Sequence, residues 1–223
     1  DNFGNAVSIN TNGDAIVVGA YQSYLPPGGS GLFPGLAYIY TSSSAGGWTQ
    51  QSILSGSFAT NSSDYFGYSV KINSTGDRVI VGAYADESGS VTSTGLAYIF
   101  VSGASGWTQQ SILSGSLATG SSDSFGVSVS MNYSGDRVIV GAYQDERASQ
   151  ATGQNEGLAY IFVSGAGGWT QQSILSGSLA TGSSDYFGRF VSMNSTGDRA
   201  IVGAVQDERS SQATGQNEGL VYI

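Results

Sequence analysis

Residues 62–87 read SSDYFGYSVKINSTGDRVIVGAYADE, and the same phrase returns three more times. Asp1 opens DNFGNAVSINTNGDAIVVGAY, Asp123 opens DSFGVSVSMNYSGDRVIVGAY and Asp185 opens DYFGRFVSMNSTGDRAIVGAV. Phe3, Phe66, Phe125 and Phe187 lie 63, 59 and 62 residues apart, and Trp48, Trp107 and Trp169 keep step at 59 and 62. Self-similarity at a fixed period means that each unit is one structural module unable to bury its faces without its neighbours.

Within the unit, FGYSVKI alternates apolar and small or polar residues, as a half-buried strand does. Asn73-Ser74-Thr75-Gly76-Asp77 supplies turn chemistry, with Asn and Asp able to bond nearby backbone and Gly free to take positive φ. RVIVGAY is a continuous apolar run, as expected for a strand covered on both faces. GLAYIF is a third strand, and the polar WTQQSIL an exposed outer one. No segment has a helical period. Four antiparallel strands per repeat predict an all-β chain of propeller blades rather than a solenoid, whose coils are shorter. The predicted units are 1–63, 64–122, 123–184 and 185–223, a single repeat domain and in this reading a piece of a longer array. The fourth unit stops at its third strand, so a neighbouring chain could complete that blade.

Length variation concentrates between the "GA" and "GL" pairs, where 14, 11, 14 and 14 residues intervene. A unit that tolerates insertion at one loop presents that loop to solvent, and binding is expected there.

Composition narrows the chemistry. The 223 residues include no Cys and no His, which removes disulfides, thiolate nucleophiles, the usual zinc sites and histidine acid–base catalysis. Seven basic residues, none adjacent to another, and a net charge of −9 argue against nucleic acid as a partner. No apolar run reaches the length of a membrane-spanning helix. The Ser/Thr/Asn/Gly-rich, weakly charged surface points outside the cell or to its surface.

The carboxylates are repeat-related. Asp1, Asp64, Asp123 and Asp185 precede FG, and Asp14, Asp77, Asp136 and Asp198 sit in the Gly-Asp turns, where capping is expected. In QDERASQATGQNEG and QDERSSQATGQNEG, Asp145, Glu146 and Glu156, and Asp207, Glu208 and Glu218, offer oxygen donors for a calcium ion, the one cofactor considered. Paired acids for glycoside hydrolysis would form one asymmetric cleft, whereas these recur in every unit, so no enzyme is expected. Asn61, Asn73, Asn132 and Asn194 begin glycosylation sequons. Tyr24 and Phe33, beside prolines in the first variable loop, and Asp86 and Glu87 in the second are candidate binding residues. The other aromatics are expected in the core.

FG-x-SV, the Gly-Asp turn, IVGA, GLAYIF and W-x-Q-Q-x-x-L together resemble the FG-GAP repeat, which builds the β-propeller of integrin α chains and of many surface proteins. The resemblance spans the chain and implies non-enzymatic adhesion or recognition of a protein or glycan. GAY or GAV replaces GAP, and the family's D-x-D-x-D-G calcium loop has no counterpart, so calcium is not carried over to the Asn73–Asp77 turn. The family usually closes seven blades, against four units here. A second reading is a structural subunit, with copies of the chain assembling into a filament or coat by strand completion.

Overall fold

The computed structural model describes residues 2–21, 34–43, 46–59, 63–86, 93–118, 122–145, 155–178, 185–207 and 219–223. Fifteen strands are the regular elements among them. The first sheet holds β1 (Phe3–Ile9), β2 (Ala15–Ala20), β3 (Leu36–Ser42) and β4 (Trp48–Leu54). The second holds β5 (Ser69–Ile72), β6 (Arg78–Ala83), β7 (Leu96–Gly103) and β8 (Gly106–Leu113). The third holds β9 (Phe125–Met131), β10 (Arg137–Ala142), β11 (Leu158–Gly165) and β12 (Gly168–Leu175). The fourth holds β13 (Phe187–Met193), β14 (Ala200–Ala204) and β15 (Leu220–Tyr222). All pairings are antiparallel meanders, giving a four-bladed β-propeller whose last blade has three strands.

The FG pair is where one blade enters another. Each glycine, Gly4, Gly67, Gly126 and Gly188, has φ between 89 and 91°, and in the first, third and fourth blades the inner strand bulges there. In the second blade Phe66, Gly67 and Tyr68 precede β5, which starts three residues later than the alternation predicts. The bulge drives the FG backbone into the preceding blade, between its "GA" and "GL" glycines. A Cβ built on Gly19, Gly82 or Gly141 would overlap the carbonyl oxygen of Gly67, Gly126 or Gly188, and one on Gly35, Gly95 or Gly157 would overlap that of Phe66, Phe125 or Phe187. Hydrogen bonds complete the lock: Phe66 N–H donates to Pro34 O at 2.8 Å, Phe125 to Thr94 at 3.0 Å and Phe187 to Glu156 at 2.8 Å.

Around this lock the blades share cores. The first junction joins Val17, Ala37 and Ile39 to Phe66, Val81 and Tyr98, and the second joins Ile80, Ala97 and Ile99 to Phe125, Val140 and Tyr160. The third joins Ile139 and Ala159 to Phe187, Val202 and Ala204. At the rim, Gln109 Nε2 donates to Ser57 Oγ at 2.9 Å while its Oε1 accepts from Ser57 N–H at 3.0 Å, and Gln171 repeats this with Ser116. That clasp gives WTQQSIL its structural role.

The outward faces of the first and fourth blades lack this cover. Phe3 is 56% exposed where Phe66 and Phe125 are fully buried, and Ile201 is 47% exposed where Ile80 and Ile139 are buried. Ser69 and Ser128 Oγ donate to the carbonyls of Gly126 and Gly188 at 2.8 Å, but the equivalent residue in the fourth blade is Phe190, which is exposed.

Candidate functional site

One end of the propeller carries the connections from the second to the third strand of each blade and the residues just before each FG. A group of half-buried tyrosines gathers there. Tyr21 stands at 5.7 Å from Tyr65 and 5.1 Å from Tyr68, Tyr65 stacks on Tyr84 at 4.9 Å with rings 2° from parallel, and Tyr68 meets Tyr84 edge-on at 4.6 Å. Across the third junction Tyr143 meets Tyr186 edge-on at 5.2 Å, and the Arg189 guanidinium lies 4.7 Å from the Tyr143 ring centre. Burial, and then the neighbouring Tyr65 hydroxyl, push the Tyr84 hydroxyl above its ordinary range.

These rings come from two sequence positions made by the repeat: the residue after "GA" (Tyr21, Tyr84, Tyr143) and the residues flanking FG (Tyr65, Tyr68, Tyr186). The residue before FG is left-handed in every blade, with φ of 48° at Asn2, 55° at Tyr65, 61° at Ser124 and 58° at Tyr186. That conformation costs a side-chain-bearing residue about 1–2 kcal/mol and suits Asn far better than Tyr. Two blades accept the strain with a tyrosine. Tyr68 and Arg189 also line an axial cavity of about 460 Å³ between the inner strands, together with Asn5, Val127 and Phe190. The sequence reading placed the aromatics in the core; alternation along a strand carried no signal that these six lie just beyond strand ends, at one end of the stack.

Beneath this end lie buried carboxylates. Asp86, Asp145 and Asp207 each accept a hydrogen bond from a third-strand tyrosine, Tyr98, Tyr160 and Tyr222. Burial, reinforced by the Asp86 carboxylate, holds the Tyr98 hydroxyl well above its ordinary range, and burial with Asp145 does the same for Tyr160. Asp86, expected as a binding residue of the second variable loop, is fully buried, with its carboxylate accepting from the Tyr98 hydroxyl. Asp145, Asp207 and Glu156, three of the calcium candidates, are buried as well. No group of three or more acidic side chains close enough to share an ion occurs among the described residues. Glu146, Glu208 and Glu218, the other calcium candidates, lie outside the described residues, as do Glu87, Tyr24, Phe33 and Asn61.

The opposite end is a ring of polar turns. Asn73 Oδ1 accepts from the backbone N–H groups of Asp77 and Arg78 at 3.1 and 3.0 Å, while its Nδ2 donates to Asp77 Oδ1 at 2.7 Å. Asn132 and Asn194 reproduce the pattern. Hydrogen bonds from Asn132 and Ser134 hold the Asp136 carboxyl below its usual range; at Asp77 burial opposes the shift, and hydrogen bonds from Thr75 and Asn73 prevail. Of the sequon asparagines, Asn73 and Asn132 are buried and Asn194 is exposed. No helix long and apolar enough to cross a membrane occurs among the described residues.

No curated protein matches the chain. Solved structures of Sqt1 from Saccharomyces cerevisiae and Chaetomium thermophilum superpose with a TM-score of 0.52 each, at 11% and 10% identity. Each match covers 92% of this chain but only 43% and 42% of the Sqt1 chains, so the chain spans less than half their length. At that identity the likeness shows the propeller fold alone. The family description "FG-GAP repeat" matches residues 48–100, 107–162 and 169–223, most of the chain in three consecutive copies. With the FG glycines seated between the GA and GL glycines of each preceding blade, the chain belongs to the FG-GAP repeat family.

Proposed function

We propose that this propeller is a non-enzymatic recognition module, binding a protein or glycan ligand through the end that bears the variable loops, outside the cell or at its surface. One observation carries the reading: that end combines the length-variable connections with half-buried tyrosines and one arginine, while the opposite end is closed by self-satisfied Asn–Asp turns. The carboxylates that could serve acid–base chemistry recur in each blade, bonded to tyrosines or turn amides, which suits a scaffold. Family membership supports binding rather than catalysis.

The test is to replace residues 146–154 and 208–218 with short Gly/Ser connections and screen both proteins against extracellular protein and glycan arrays. A ligand bound by the native chain and lost by the loop variant, but kept by an Asn194→Ala variant at the other end, is the expected result. Equal binding by all three refutes it.

A second reading is assembly of copies into a filament or coat, favoured by the exposed apolar faces of the first and fourth blades: Phe3, Val7 and Ile9 on one, Ile201 and Val221 on the other. Burying such faces head to tail would be favourable. Light scattering of the purified chain separates the two, since concentration-dependent growth supports assembly and a constant monomer mass removes it.

A further inference from the structure

We propose that the tyrosine rim docks an extended, proline-rich peptide segment carrying an acidic side chain, with Arg189 as the anchor for that acid. This rests on the recognition reading above and names the ligand class of the same end of the molecule.

The position before FG needs only a left-handed backbone, which Asn2 and Ser124 supply without a ring. Tyr65 and Tyr186 hold rings there against the conformational preference of tyrosine. Strain of this kind collects where a side chain must be held for contact rather than for packing. The rings form two ridges. Tyr65 and Tyr84 spend one face each on the other, with Tyr21 and Tyr68 standing beside them, and Tyr143 and Tyr186 meet edge-on at the junction of the third and fourth blades. At the junction between the ridges the equivalent positions are Ser124 and Val127, which carry no ring and are buried.

Ridges of ring edges and hydroxyls on either side of a junction without rings suit a polyproline II strand. Its prolines pack between aromatic ridges, its carbonyls are free to accept from tyrosine hydroxyls, and it has little conformational entropy left to lose. The charge argument adds the acid. The Arg189 guanidinium lies over the Tyr143 and Phe190 rings, at 4.7 and 6.0 Å. In a chain of net charge −9, a cation held on the rim selects for a negative group on the ligand.

The experiment is fluorescence anisotropy of the intact chain with labelled polyproline peptides of about ten residues, one glutamate walked along them, and matched Gly/Ser peptides as controls. Binding of a proline peptide and not its control is expected. Tyr65→Asn, which keeps the backbone conformation found at Asn2, and Tyr84→Ala should each weaken it about tenfold, with the folded state verified by circular dichroism. Arg189→Gln should weaken only glutamate-bearing peptides. Failure of every proline peptide to bind overturns the proposal, as does binding indifferent to Tyr65→Asn. A neutral oligosaccharide competing at the same tyrosines would assign the rim to glycans and overturn it too. If the peptides fail while the loop-replacement screen still yields a ligand, this inference falls and the recognition reading stands.

Discussion

Gly82 on the second strand of one blade faces the carbonyl of Gly126 at the head of the next so closely that a side chain on Gly82 would occupy the same space. Gly141 and Gly188 repeat the relationship. At Gly203, by contrast, an added Cβ would meet Phe190 at 3.7 Å, an ordinary contact. Gly82→Ala and Gly141→Ala are therefore expected to push blades apart and cost several kcal/mol, on the order of 3 or more, whereas Gly203→Ala costs about 1 or less. Urea unfolding of the three variants checks this; equal losses would refute the lock.

Burial predicts a similar contrast between equivalent phenylalanines. Phe125 is enclosed between blades, with Tyr160 at 5.4 Å and Phe162 at 6.0 Å, while Phe3 is 56% exposed. Phe125→Ala is expected to cost roughly 3–5 kcal/mol and Phe3→Ala under about 1 kcal/mol in the same unfolding measurement.

Removing a buried donor takes one partner from its acceptor. Tyr160→Phe takes the hydroxyl from the Asp145 carboxylate and should destabilise by about 1–3 kcal/mol, with calorimetry as the readout. Tyr38→Phe, at the equivalent but partly exposed position of the first blade, should shift the melting temperature less.

The two kinds of shifted group set opposite pH limits. For Tyr98 and Tyr160 the folded value lies above the ordinary 10.0. Their contribution is fully present below pH 10.0 and is lost as pH rises from there through the folded value, because the unfolded chain ionises first. Asp77 and Asp136 are held below 3.8, so their contribution is present above that value and is lost as pH falls through the folded one. Stability should be flat from about pH 5 to about pH 9 and decline on both sides. Thermal melts across pH, with tyrosinate absorbance followed on the alkaline side, check this. Tyrosine ionisation complete before unfolding would contradict the buried pairs.

Glycan attachment should follow exposure. Asn73 and Asn132 are buried with Nδ2 bonded inside their turns, while Asn194 is exposed. Secreted from a eukaryotic host, the chain is expected to carry sugar at Asn194 and none at Asn73 or Asn132, as read by peptide mass mapping. Occupied Asn73 in folded material would refute the expectation.

Much of the fold was legible because the repeat states it four times. Alternation, turn residues and the polar outer strand specified fifteen strands in four antiparallel sheets before any coordinates, since these are local properties of backbone and side-chain period. Individual residues were less legible. Asp86 read as a surface acid because it lies in a variable loop, and its burial depends on Tyr98, twelve residues away in sequence but adjacent in the folded blade. The tyrosine rim was hidden for the same reason: its members come from different blades, and no window of sequence contains both Tyr84 and Tyr143.

Sequence alone thus determined the module, because strand period, turn chemistry and the fixed spacing of Phe, Gly and Trp are written along the chain. Only the tertiary structure decided what the modules do to each other: which glycines must be bare for a neighbour's carbonyl to approach, which carboxylates are buried, and which rings gather at one end. Those outcomes depend on contacts between residues from 12 positions apart, as Asp86 and Tyr98, to 48, as Gly19 and Gly67, where steric exclusion and burial act through space.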